Sequence, residues 1–95
     1  MKAKLIHRER IVFDDGSFAE LAIWQLPSRL SPSEHDLKYR LSYIVDGERV
    51  VGYDNERGKG DHRHFKGREG AYKFQSVEKL VADFIRDVED LRGGA

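Results

Sequence analysis

The run GKGDHRH from Gly58 to His64 places two imidazoles one residue apart, with Lys59, Asp61 and Arg63 among them. Histidine is the side chain whose ordinary titration falls near neutral pH, so His62 and His64 can serve as a base and an acid in the same reaction. Metal-independent RNA cleavage needs that pair. A base takes the 2′-hydroxyl proton, an acid protonates the departing 5′-oxygen, and cations offset the charge that builds on phosphorus. If the H-x-H piece is extended, the two rings share a face and stand roughly 7 Å apart, enough to bracket a phosphate. Lys59 and Asp61 complete the expected catalytic set. Arg57, Arg63 and Arg68 are the expected phosphate contacts, and Gly58 and Gly60 let the backbone approach the substrate and present N–H groups. Tyr53, Asp54 and Asn55, just upstream, join the substrate-binding set, with Tyr53 or Phe65 able to stack a base.

Two other readings use the same residues. Asp54, Asp61, His62 and His64 form a carboxylate and imidazole set suited to a divalent ion such as Zn²⁺ or Mn²⁺, although the surrounding Lys and Arg make a dication less welcome. A purely structural reading has Asp54 and Asn55 closing a turn, Asp61 pairing with Arg63 or Lys59, and the histidines lying as surface polar groups in a loop that contacts a partner. His7 falls in a strand-like run and His35 in a polar connection, and neither receives a role.

Charge singles out the same stretch. The 95-residue chain has 17 basic and 17 acidic side chains, yet residues 57–73 hold six basic residues against Asp61 and Glu69. A chain of this length supports one modest core, and the whole of 1–95 is expected to form a single domain. It has no cysteine, which removes disulfides and thiolate metal sites. No apolar run reaches signal-peptide or membrane-span length, so a cytoplasmic protein that does not enter a membrane is expected.

The elements that must carry these residues are legible from their patterns. KLIHRERIVF and FAELAIWQL are strand-like runs separated by the turn residues Asp14 to Ser17, a first hairpin. Pro27 to Asp36 reads as a surface connection. KYRLSYIV and ERVVGYDN flank Asp46-Gly47, whose preference for positive φ at both positions predicts a type I′ turn and a second hairpin. From Glu56 to Gly70 four glycines break the pattern, and a loop is expected, with AYKF as a short extra strand. Val77, Leu80, Val81, Phe84, Ile85, Val88 and Leu91 then recur at helical spacing behind Ser76 as N-cap. The expected fold is α+β: a four-stranded antiparallel sheet of two hairpins packed against one C-terminal helix, with Phe13, Trp24, Tyr43 and Val45 on the sheet surface beneath it.

Taken together, RERIVFDDGSFAELAIWQLP, YRLSYIVDGERVVGYDNERGKGDHRH and SVEKLVADFIRDVEDLR resemble the TumE family, the toxin component of bacterial toxin–antitoxin systems. The Tyr53 to His64 segment is the most specific part of the likeness. The resemblance implies a cytoplasmic type II toxin partnered by a helix-turn-helix antitoxin. Combined with the side-chain reading, the expectation is a metal-independent endoribonuclease that needs no cofactor and takes RNA as partner. The rivals are a metal-dependent nuclease using a divalent ion, and a non-catalytic toxin that blocks a translation or replication component through the basic segment. A homodimer stays open.

Overall fold

The computed structural model describes residues 3–56 and 58–93. Six strands and one helix follow one another as β1 Lys4–Val12, β2 Phe18–Gln25, β3 Leu37–Val45, β4 Glu48–Glu56, β5 Gly60–Phe65, β6 Arg68–Ala71 and α1 Val77–Leu91. The strands form a single antiparallel meander in the order β1-β2-β3-β4-β5-β6. The α+β class and the C-terminal helix match the sequence reading, but the sheet has six strands, not four. The expected loop from Glu56 to Gly70 is a third hairpin, β5 and β6, and AYKF contributes only its first residue to β6. Its glycines mark turns. Gly58 and Gly60 take positive φ where β4 turns into β5, and Lys66-Gly67 (φ 52° and 78°) repeats the geometry of Asp46-Gly47 (φ 50° and 79°).

Alternation sorts each strand into an inner and an open face. Ala19, Leu21 and Ile23 of β2, Tyr39, Leu41 and Tyr43 of β3, and Val51 and Tyr53 of β4 are buried on the inner face. Leu80, Phe84 and Val88 of α1 cover them, with the Phe84 and Tyr53 rings edge to face at 6.2 Å. Phe13 and Val45 also pack against this cluster. Trp24 does not: it pairs with Leu5 and Lys38 on the open face, one step out of phase with Ile23. The helix begins where expected, the Ser76 hydroxyl accepting the Lys79 N–H at 3.1 Å.

A β-bulge supplies the geometry that matters most below. Tyr43 pairs with Val51, yet Ile44 pairs with Arg49, so Val50 is the extra residue. Simple alternation from the inward Val51 would send Arg49 inward. The bulge re-phases the strand and brings Arg49 out on the open face. No helix among the described residues is long and apolar enough to cross a membrane.

Candidate functional site

The H-x-H piece, expected within a loop, is extended, because both histidines lie in β5. His62 pairs with Asp54, and His64 pairs with Gly52 on one side and Glu69 on the other, so both imidazoles stand on the open face. His62 Nδ1 lies 3.0 Å from the Gly60 carbonyl oxygen, which requires the proton on Nδ1 and leaves Nε2 free to accept one. His64 Nε2 lies 3.4 Å from Glu69 Oε2 and 3.9 Å from Asp54 Oδ2, surroundings that favour an N–H at that atom. The two rings thus present opposite proton-handling ends.

The cations beside them come from a different place than the sequence suggests. Arg49 lies flat across the open face. Its Nη1 donates to Asp54 Oδ2 at 2.8 Å, its Nε to the Ser42 hydroxyl at 2.8 Å and its Nη2 to the Leu41 carbonyl at 2.9 Å. Burial works to lower its basicity, and the hydrogen bond to Asp54 opposes that. Gly52 makes the arrangement possible, since a Cβ there would collide with the Arg49 guanidinium carbon. Arg40 pairs with Asp54 across the sheet, with its Nη1 3.8 Å from that carboxylate and its side chain 56 % exposed.

Several residues expected at the site face the helix instead. Tyr53 is fully buried, so it stacks no base, and its hydroxyl donates to Asp87 Oδ2 at 2.6 Å. Burial and that carboxylate hold its phenol well above the ordinary range. Arg63 is gripped by the same carboxylate, Nε to Oδ2 at 2.8 Å and Nη2 to Oδ1 at 2.9 Å, which commits its guanidinium to the fold. Asn55 is buried and ties the 26–36 connection down: it accepts from the Tyr39 N–H and donates to the Leu37 carbonyl and the Ser33 hydroxyl.

Asp61 also points inward, accepting from the Ser33 hydroxyl at 2.5 Å and the Tyr39 hydroxyl at 2.8 Å, with His35 Nε2 at 2.6 Å. His35 Nδ1 accepts the Leu37 N–H at 3.2 Å, so Nε2 bears the proton and donates to Asp61. Both ring nitrogens are used, and His35 acts as a clasp, with its ring against Phe74 at 4.1 Å. Burial, then the bond to Asp61, pushes the Tyr39 phenol far above its usual range and keeps it a donor.

The four residues of the metal reading are therefore divided, Asp61 on the inner face and Asp54, His62 and His64 on the open one. Among the described residues no three His, Asp or Glu side chains are grouped so as to hold a metal ion. Lys59 is exposed at the β4–β5 turn, its ammonium 3.8 Å from Glu56. Gly58 spends its N–H on the Ser31 carbonyl at 2.9 Å, and Gly60 begins β5. Arg68 pairs with Phe65, on the helix side of the edge strand β6. Arg57 lies outside the described residues.

Sequence reasoning missed Arg40, Arg49 and Gly52 as neighbours of the histidines, and His35 as the partner of Asp61. Only the glycine flanked by strand residues in RVVGYD carried a signal of a close approach. The family model described as Toxin TumE matches residues 2–92. No match was found among curated proteins or among solved structures.

Proposed function

The chain belongs to the TumE toxin family, and on that premise we propose that it cuts RNA on the open face of its sheet by histidine acid–base chemistry without a metal. The observation that carries this reading is the pair His62 and His64, side by side on an open face with opposite proton-handling ends and flanked by Arg40 and Arg49. His62 Nε2 takes the 2′-hydroxyl proton as that oxygen attacks phosphorus. The phosphorus–O5′ bond breaks while His64 delivers its Nε2 proton to the leaving oxygen, giving a 2′,3′-cyclic phosphate and a 5′-hydroxyl. Arg40 is exposed enough to meet a phosphate. Arg49 is held rigid by three acceptors beside it, so charge stabilisation needs little reorganisation.

A toxin of a toxin–antitoxin system has an antitoxin. We take it to be a helix-turn-helix protein that silences this one by covering the open face with an acidic surface. Incubation of the purified toxin with total RNA tests the chemistry. Cleavage should persist in EDTA, and His62→Ala and His64→Ala should each slow it by about 10² to 10⁴-fold with unchanged thermal stability. Cleavage that EDTA stops and Mn²⁺ restores would establish the metal-dependent alternative. Full toxicity in both alanine variants would remove the histidines from the mechanism.

A further inference from the structure

Beside Arg40, towards the β1 edge of the open face, β1 to β3 enclose a depression of about 320 Å³. Its floor is Ala22, which pairs with Arg8 of β1 on one side and Arg40 of β3 on the other. A methyl group between two arginines leaves a dip with a guanidinium on each rim. Trp24 stands two residues along β2 on the same face and lines the depression. Arg8, Ala22, Arg40, Asp54 and His62 are consecutive partners across the five strands β1 to β5. At about 4.8 Å per strand, the floor of the depression lies about 14 Å from His62.

We propose that this depression is a nucleobase and phosphate subsite for single-stranded RNA, with Trp24 as the stacking platform and Arg8 and Arg40 as phosphate contacts. The inference rests on the RNA reading above and names where the strand lies beyond the cleaved bond. Three observations favour RNA over a protein surface. The indole is half-buried, so it is already partly ordered, and it lines the depression. Guanidinium groups on two rims can each meet phosphate oxygens bidentately, and the successive phosphates of one strand supply such partners at regular intervals. Three arginines, Arg8, Arg10 and Arg40, line the dip against two carboxylates, of which Glu20 is paired with Arg10 at 3.0 Å and Glu9 lies 3.3 Å from His7, so the balance of charge there is positive. A flat sheet face selects an unpaired strand, whose bases can splay onto the platform.

Trp24 is the only tryptophan in the chain, so its fluorescence reports the site directly. The full-length His62→Ala variant, titrated with a single-stranded oligouridylate, should show quenching, and an RNA duplex of equal length should give little. Trp24→Ala should weaken binding of the same labelled oligonucleotide by about 5- to 100-fold, and Trp24→Phe should recover part of the loss. Arg8→Ala, on the exposed strand β1, should lower the salt dependence by about one phosphate contact. In the active protein, Trp24→Ala should raise KM for long oligonucleotides and leave a dinucleotide unaffected. If the toxin cuts RNA and none of these variants changes affinity or KM, the subsite is overturned while the histidine chemistry stands. If the indole is quenched by single strands but RNA is never cut, the subsite stands and the cleavage reading falls. Quenching by the antitoxin alone, with none by RNA, would make this a protein-docking face and overturn the proposal.

Discussion

Arg63 sits between the two histidines in sequence and on the opposite side of the sheet from them in space. Its removal should act on stability. Arg63→Ala leaves Asp87, which is 2 % exposed, with only the Tyr53 hydroxyl for a partner among the described residues. More than a third of the Arg63 side chain faces water, so the expected cost is at the low end for such pairs, about 2 kcal/mol, read from the urea midpoint. Gly52→Ala should do the reverse. The added methyl first meets the Arg49 guanidinium and pushes it off its three acceptors, so the fold should survive while RNA cleavage falls to the level of Arg49→Ala. That the two histidines would share a face if extended was legible, because i and i+2 in any strand do, but the strand that extends them was not expected. His35 and Asp61 were not legible as partners, because 26 residues separate them and nothing local links a polar connection to a later strand. Arg49 escaped notice for a third reason: a bulge, invisible in the hydrophobic pattern of VVGY, decides which face it takes.

Among the elements, the helix and the first two hairpins could be read because each combines a strong period with its own punctuation. The third hairpin could not. Glycines at 58, 60, 67 and 70 resemble a dissolved pattern, and REGA has little β propensity, so β6 exists because β5 offers it an edge and Lys66-Gly67 returns the chain. Gly67→Ala should therefore destabilise this hairpin, by about 1 kcal/mol, since its φ of 78° penalises a side chain. Ser76→Ala should cost about 1 kcal/mol through the lost cap, and Ser76→Asp should recover it, as measured by thermal melting. Helix docking also depends on two buried aspartates that interrupt the apolar stripe. Burial opposes ionisation of Asp83, but the Lys79 ammonium at 2.6 Å and the Tyr72 hydroxyl at 2.6 Å outweigh it and hold the carboxyl below its ordinary value. A depressed carboxyl stabilises the fold above its unfolded-state value and loses that contribution as pH falls through the folded one. The pH dependence should begin near pH 4 and extend downward, and Asp83→Asn should flatten it in acid denaturation.

Over the whole molecule, one sheet divides the labour: the inner face is sealed by α1, and the open face gathers arginines, histidines and the single tryptophan. Phe84→Asp, at a position with no exposure, should abolish the folded state outright, seen as loss of the cooperative melt. Every strand pairs only with its neighbours in sequence, while the residues that seal the sheet, 77–91, come after all of them. On the ribosome the six strands therefore emerge with their inner face wet, and the hydrophobic gain that fixes their registers arrives only with the helix. On the proposed chemistry the nascent chain is unarmed until α1 has packed, since β5, which carries His62 and His64, is tied to that helix through Arg63 and Asp87. That interval gives an antitoxin already present in the cell time to meet its partner before the partner can act.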